Sequence, residues 1–159
     1  MTIRILCIGK LKERFYADAV SEFVKRLSRY ASVEIVELAD ERAPEQLSAA
    51  QREQVKDAEG KRMLARVSEG DFLVALDQRG TELSSEQLSV HMQSWMSAGK
   101  SRIAFAIGGS LGHSEAVLAR ADFRLSFGKP TFSHQIFRIM LLEQIYRAFK
   151  IMNGEPYHK

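Results

Sequence analysis

The sequence predicts an α/β fold with a mostly parallel sheet and helices on both faces. Its hydrophobic periodicity alternates along the chain between short strand patterns and longer helix patterns, the order that builds parallel sheets. The length of 159 residues predicts one domain, since about 150 residues per domain is typical. Hydrophobic residues make up 45% and charged residues 27% of the chain, a balance that argues against intrinsic disorder.

The first three elements follow from short patterns. Residues 2–9 are apolar, rich in β-branched side chains and ended by glycine, which predicts a buried strand. Residues 13–30 place apolar side chains three and four positions apart, which predicts a helix. Residues 32–38 alternate apolar and acidic side chains, a pattern typical of a half-exposed strand. Its Glu34 and Glu37 suit the edge of a sheet, where charge discourages pairing with another chain.

A polar loop at residues 39–43 leads to a highly charged segment that predicts a second helix, from Pro44 to about Val67. Pro44 is suited to the first turn of this helix, whereas Gly60 interrupts the pattern. An apolar strand at residues 72–76 follows and is expected to end at Asp77. Ser84 or Ser85 then begins a helix through Met96, Ser84 having Gln87 as a capping-box partner. The remaining predicted elements are a strand at residues 101–107, a short helix at 115–120, a short strand at 123–127, and a long helix from about Ser133 to Met152.

Several classes of protein are not expected from this composition. No run approaches the roughly 18 apolar residues of a membrane span, and the opening apolar run is typical of a strand and not of a signal peptide. The single cysteine, Cys7, predicts no internal disulfide and fits a reducing cytoplasm. The four histidines stand at no metal-ligand spacing, so no metal site is expected.

The positive charge of the chain is concentrated near its end. Residues 120–159 carry seven basic and three acidic side chains, although the whole chain has a net charge of only +3. Such a basic quarter attracts phosphate, or it is simply a solvated face. It leaves open a non-catalytic ribosome-binding module as one class of function.

A glycine-rich turn at residues 108–112 follows one predicted strand, and ligands in parallel sheets bind at the carboxyl ends of strands. Glycines there free backbone amides and let a ligand approach closely. The same turn matches G-x-S-x-G, the nucleophile elbow of serine hydrolases, with Asp122 and His134 following Ser110 in the order acid, base. A serine hydrolase using Ser110 is therefore the enzymatic alternative that the residues themselves suggest.

The start of the last predicted helix carries a second polar group. His134 and Arg138 are four positions apart and share a helix face, so one of them can orient a substrate while the other binds phosphate. A helix cap beside a solvated arginine is the simpler interpretation. The wide apolar surface of this helix predicts either core packing or a dimer contact.

Several short motifs together resemble a known family. The chain resembles the small single-domain SPOUT methyltransferases and, among them, the large-subunit ribosomal RNA pseudouridine N3-methyltransferases. The segments that carry the resemblance are Ile107-Gly108-Gly109-Ser110, Leu125-Ser126-Phe127, Thr131-Phe132-Ser133-His134-Gln135, Glu143-Gln144-Ile145-Tyr146-Arg147-Ala148 and the ending Pro156-Tyr157-His158-Lys159. Each motif is weak alone, but their order and spacing extend over the whole chain.

The resemblance implies a fold and a reaction that periodicity does not. It implies one domain over residues 1–159, with a C-terminal trefoil knot and a cofactor-binding region at about residues 70–159. It also implies S-adenosyl-L-methionine as cofactor, a homodimer as the active unit, and N3 of a pseudouridine on assembled ribosomes as the substrate. No metal is implied. An unaided prediction would draw an open, unknotted sheet, because knots are rare.

The resemblance also assigns roles to individual residues. His134 or His158 is the candidate acceptor of the N3 proton, while Arg138, Tyr157, His158 and Lys159 are candidates for holding RNA. The implied cofactor contacts follow three strands of the predicted sheet: Leu76, Gly108, Phe127, Gly128, Lys129, Pro130, Thr131 and Phe132.

Overall fold

The computed structural model describes residues 1–42 and 44–159, so Ala43, the last residue of the predicted polar loop, lies outside the description. Its strands form a five-stranded sheet in the order β2-β1-β4-β3-β5. Each pairing between neighbouring strands is parallel, which confirms the predicted sheet type. The strands are β1 (Thr2–Ile8), β2 (Ser32–Leu38), β3 (Phe72–Glu82), β4 (Arg102–Ile107) and β5 (Phe123–Ser126).

Helices cover both faces of this sheet, as predicted. The helices are α1 (Arg14–Leu27), α2 (Ala49–Leu64), α3 (Ser85–Ser97), α4 (Glu115–Arg120) and α5 (His134–Met152). Side chains alternate along β1, so that Ile3 and Ile5 belong to a core cluster with α1, α3 and α5. Leu6 and Ile8 belong to a second cluster with α2 and α4. The sheet is therefore buried on two sides.

The predicted start of α2 is wrong. The helix begins at Ala49 and not at Pro44, because Ser48 caps it, accepting from the amide of Gln51 in a capping box. Gly60 does not interrupt the helix. A Cβ atom there would collide with the hydroxyl of Ser114, so this glycine allows α2 to approach the N-terminus of α4.

β3 is longer than the sequence predicts. It continues past Leu76 to Glu82, and its pairing with β5 shifts register so that Leu76 and Thr81 both face Leu125. Gly80 fits this irregular stretch because a Cβ atom would lie 2.7 Å from the backbone carbonyl of Arg124. The apolar pattern ends at Leu76 since the added residues are mostly exposed.

β2 lies at the edge of the sheet, as its acidic alternation predicts.

Most of the apolar surface of α5 is used within the chain, with Leu141, Ile145 and Ala148 fully buried against the core that includes α1 and α3. Its width therefore follows from core packing, and the homodimer stays a prediction. So does the trefoil knot. Over the described residues, no helix has the length and apolarity needed to cross a membrane.

Candidate functional site

A pocket of about 670 Å³ lies at the carboxyl ends of β3, β4 and β5. Pockets of this size hold cofactor-sized molecules, and this position is the usual one for ligands in parallel sheets. Lys129 is exposed and lies outside the lining. The other predicted cofactor residues line the pocket, namely Leu76, Gly108, Phe127, Gly128, Pro130, Thr131 and Phe132.

The glycine-rich turn after β4 forms one wall of the pocket. It closes tightly, with the amide of Gly112 donating to the carbonyl of Gly109 at 3.0 Å. A Cβ atom on Gly108 would lie 3.1 Å from the backbone carbonyl carbon of Gly112. Gly112 itself has a φ of +87°, a conformation that favours glycine. The turn therefore needs glycine both for its shape and for the space beside Gly108.

His113, which directly follows this turn, is hydrogen-bonded to β4 and does not cap α4. Its Nε2 lies 3.1 Å from the carbonyl oxygen of Ala106 in β4. Burial lowers the pKa of His113, so the ring is neutral and Nε2 donates to that carbonyl. The cap of α4 is Ser114, which accepts from the amide of Val117 at 3.3 Å.

The opposite wall is the loop between β5 and α5, which the extension of β3 holds in place. The side-chain amide of Gln78 donates to Thr131 Oγ1 at 3.0 Å and to the carbonyl of Pro130 at 3.3 Å. Ser126 Oγ donates to the carbonyl of Gln78 and accepts from the amide of Gly128. Sheet topology points to the strand end at residues 76–80 as a place for ligands, but it assigned no role to Gln78.

Aromatic rings give the pocket an apolar face. Phe137 contacts Phe127 edge-on with 4.9 Å between ring centres and stacks on Phe132 at 5.8 Å. Phe137 lies one turn into α5, so the helix and the loop share one aromatic cluster. Such a face suits a planar, weakly polar group like adenine.

Asp77 brings an unused hydrogen-bond acceptor to the lining. Its Oδ1 accepts from the amide of Arg79 at 3.2 Å, whereas its buried Oδ2 has no partner among the described residues. Buried carboxylate oxygens are usually paired, so Oδ2 is suited to a donor group of a ligand. Asp77 also belongs to the strand end at residues 76–80, and no role was predicted for its side chain.

The other predicted residues in α5 have contrasting positions. His134 lines the pocket and is half-buried. Arg138 is fully buried, and its guanidinium donates to Glu37 Oε2 at 2.8 Å. The expected role of Arg138 in holding RNA is wrong for this arrangement, since its charge is enclosed by protein and paired with β2.

The tail lies against α5 and α3, away from the pocket lining. Tyr157 donates to Glu143 Oε1 at 3.1 Å and its ring lies under the guanidinium of Arg147, 4.6 Å from ring centre to Cζ. His158 Nε2 is 2.7 Å from Glu86 Oε1 at the start of α3. Neither tail residue lines the pocket that contains His134.

The hydrolase triad is not assembled. Ser110 is exposed at the carboxyl ends of the strands, where His134 also lies. Asp122 precedes β5, at the amino end of that strand, and accepts from the amide of Leu73 at 2.7 Å and from Arg120 at 3.0 Å. The acid of a triad must hold its histidine, so this arrangement contradicts the serine hydrolase alternative.

Comparison with known proteins identifies the family. The sequence profile described as "Predicted SPOUT methyltransferase" matches residues 1–158. The chain belongs to the SPOUT methyltransferase family. Among curated SPOUT relatives, the "Ribosomal RNA large subunit methyltransferase H" of Carboxydothermus hydrogenoformans is 51% identical and that of Lysinibacillus sphaericus 52% identical. Both alignments cover 159 residues and the full length of each chain.

Solved structures support the SPOUT fold independently. The tRNA (m1G37) methyltransferase from Aquifex aeolicus superposes with a TM-score of 0.55 at 17% identity, covering 100% of this chain and 75% of that one. A probable methylase family protein from Haemophilus influenzae gives a TM-score of 0.54 at 12% identity, covering 99% and 70%. At such low identity these likenesses show the fold alone.

Across the described residues, no group of three or more His, Cys, Asp or Glu side chains is placed to hold a metal ion.

Proposed function

We propose that this SPOUT methyltransferase transfers a methyl group from S-adenosyl-L-methionine to N3 of a pseudouridine in large-subunit ribosomal RNA, on assembled ribosomes in the cytoplasm. The observation that carries the proposal is the identity of 51–52% over the full length of relatives named as ribosomal RNA large subunit methyltransferases. The choice of pseudouridine as the methylated nucleotide, and of the assembled ribosome as the substrate, comes from the resemblance of the motifs to the pseudouridine N3-methyltransferases.

The pocket at the carboxyl ends of β3, β4 and β5 fits the cofactor. Its aromatic face suits adenine, and Gly108 brings backbone without a side chain to the pocket lining. The unpartnered Oδ2 of Asp77 suits a hydroxyl or amino donor of the cofactor. Leu76, Gly108 and the loop at residues 127–132 would hold the molecule, with Lys129 at the exposed rim.

The chemistry divides between the cofactor and the protein. When bound, S-adenosyl-L-methionine supplies a methyl group on a sulfonium: the S–CH₃ bond breaks with its electron pair returning to sulfur, and N3 of the base forms the new bond as it loses its proton. The residues of this chain bind and align the reactants and favour loss of that proton.

Exposed cations flank the pocket and suit a polyanionic substrate. The side chain of Arg79 is 83% exposed, and Lys129 is exposed at the rim. Both lie within reach of a backbone that enters the pocket, and contacts of this kind with phosphate dominate the affinity of proteins for nucleic acid. Of these two cations, Lys129 belongs to the basic quarter of the sequence.

The position of the tail bears on the proposed homodimer. A helix rises about 1.5 Å per residue, so Glu143, which holds Tyr157, lies about 13 Å along α5 from His134. Tyr157 and His158 therefore act on RNA at the pocket of a second copy, or they bind RNA outside the pocket. The first arrangement requires two chains for one complete site.

Methyl transfer to ribosomes tests the proposal. The purified protein is incubated with labelled S-adenosyl-L-methionine and ribosomes that lack the modification, and the digested RNA is examined by mass spectrometry. We expect one methyl group on N3 of a pseudouridine in the large subunit, and much less on protein-free RNA. Absence of methylation in any ribosomal RNA contradicts the proposal, whereas methylation of a different nucleotide refutes only the assigned position.

A further inference from the structure

A buried arginine lies directly behind the pocket histidine. Arg138 is fully buried, which is costly for a charge unless it is paired. Its Nη1 donates to Glu37 Oε2 at 2.8 Å, and the same carboxylate oxygen accepts from the amide of Leu11 at 2.8 Å. The guanidinium is therefore fixed between α5, the edge strand β2 and the loop after β1.

The hydrogens on Nη2 of Arg138 determine the state of His134. Nη2 carries two hydrogens; one is directed to the carbonyl of Gly9 at 3.3 Å, and the other faces Nδ1 of His134 at 3.5 Å. A guanidinium has only donors, so the nitrogen that faces it must be the unprotonated one. A neutral imidazole with Nδ1 unprotonated carries its hydrogen on Nε2.

A second proton on His134 is also disfavoured. His134 is the first residue of α5, where the helix dipole repels positive charge, and Ser133 caps that helix. Burial, and after it the charge of Arg138, lower the pKa of His134 below its usual value, although carboxylates of nearby elements oppose them. Those opposing carboxylates are Asp40, Glu37 and Glu13. Glu37 is paired with Arg138, and Glu13 accepts from Gln135 at 3.1 Å.

We propose that Arg138 is a positioning residue that holds His134 as the neutral Nε2–H tautomer, and that His134 acts as a hydrogen-bond donor into the pocket. The sequence suggested the opposite role, acceptor of the N3 proton. Among the described residues Nε2 has no hydrogen-bond partner, so its hydrogen is free for a ligand. This inference rests on the proposed function for the identity of that ligand.

A donor in this position assists the proposed reaction. Loss of the proton from N3 leaves negative charge that is shared with the two flanking carbonyl oxygens of the ring. The hydrogen on Nε2 stabilises that charge at one oxygen while the N3 proton goes to water, and N3 then uses its electron pair to bond the methyl carbon. A neutral histidine that polarises an oxygen in this way needs no change of its own protonation.

The tautomer is measured directly on the whole protein without cofactor. In long-range proton–nitrogen NMR spectra of histidine-labelled protein, each tautomer gives a distinct pattern, and the His134→Gln variant identifies the signal. We expect His134 to be neutral with the hydrogen on Nε2 at pH 7. A neutral ring protonated on Nδ1, or an imidazolium, overturns the inference. This readout needs no RNA, so it is independent of whether ribosomes are methylated.

A pair of matched substitutions tests the donor role. In glutamine the amide nitrogen lies near the place of Nε2, whereas in asparagine it lies near that of Nδ1. We expect His134→Gln to retain kcat within about tenfold, and His134→Asn to lose about 10²–10³-fold, the usual cost of one missing donor. The affinity of each variant for S-adenosyl-L-methionine is measured alongside, because His134 also lines the pocket. Equal loss in both variants, with a wild-type pH profile that follows titration of His134, identifies a proton acceptor instead.

Discussion

Gly9 at the end of β1 packs directly against the imidazole of His134 at the start of α5. A Cβ atom on Gly9 would lie 2.8 Å from Cε1 of that ring, closer than real Cβ contacts come. Gly9 also has a φ of +100°, where side chains are strained. Because Gly9 has no side chain, the ring of His134 can lie against the end of β1.

Two glycine substitutions distinguish the effect of backbone strain from the effect of moving His134. Gly9→Ala introduces both, whereas Gly99→Ala at a φ of +82° introduces strain alone because nothing lies within 4 Å of the added carbon. We expect each variant to lose about 1–2 kcal/mol of unfolding free energy in urea. Only Gly9→Ala should lose methylation of ribosomes, since only it moves His134. Equal activity in the two variants contradicts the role of this contact.

Gly108→Ala tests the cofactor position. The new Cβ atom meets the backbone of Gly112 at 3.1 Å, and backbone in a tight turn cannot easily move. We expect the affinity for S-adenosyl-L-methionine to fall about tenfold or more, equivalent to about 1.4 kcal/mol, in a calorimetric titration. Gly70→Ala is the control, because its Cβ meets only the flexible end of Arg102 at 3.4 Å. Unchanged affinity in Gly108→Ala excludes the cofactor from this wall.

Glu37→Gln tests the support behind His134. The change leaves the buried charge of Arg138 without its carboxylate, and losses of about 3–5 kcal/mol are typical of wholly buried pairs. The side chain of Glu37 is 35% exposed, so we expect about 2 kcal/mol at pH 7. Glu34→Gln on the same strand removes a pair whose carboxylate is 56% exposed and should cost less than about 1 kcal/mol. A comparable loss in the two variants contradicts a special role for Glu37.

The same pair predicts a pH dependence. Burial raises the pKa of Glu37, but hydrogen bonds from Arg138 and Leu11 and the nearby positive charges outweigh it and hold the pKa below its usual value. The stability from the pair is therefore present above the unfolded pKa of about 4.3 and is lost as pH falls through the folded pKa. We expect the difference between wild type and Glu37→Gln to shrink below about pH 4 in urea titrations. A constant difference down to pH 2 refutes this linkage.

Removal of residues 156–159 tests the tail. Tyr157 and His158 are held against α5 and α3 and do not line the pocket of their own chain. We expect the shortened protein to bind S-adenosyl-L-methionine with unchanged affinity and to lose methylation of ribosomes. Full methylation by the shortened protein removes the tail from the proposal.

The sequence predicts the elements of the fold well because periodicity and caps are local. It misses the continuation of β3 beyond Leu76 because those residues are polar and their pairing with β5 is a long-range contact. It misjudges Arg138 for a similar reason. An arginine on a helix face is normally solvated, and its partner Glu37 lies about a hundred residues away on an edge strand, where an acidic side chain already has an explanation.

The site was predicted unevenly for physical reasons. Strand ends at Leu76 and Gly108 follow from sheet topology, and the structure places both in one pocket. The partnerless oxygen of Asp77 and the bridge from Gln78 to the loop at residues 127–132 depend on three-dimensional packing. No pattern in the sequence shows which of several polar residues at a strand end stays unpaired.

Calorimetric titration of the intact protein with S-adenosyl-L-methionine tests the central claim most directly. The account predicts saturable binding, thermal stabilisation that rises with cofactor concentration, and an affinity that is weaker by about tenfold or more in Gly108→Ala and retained in Gly70→Ala. Absence of binding heat and of thermal stabilisation at millimolar cofactor would contradict it.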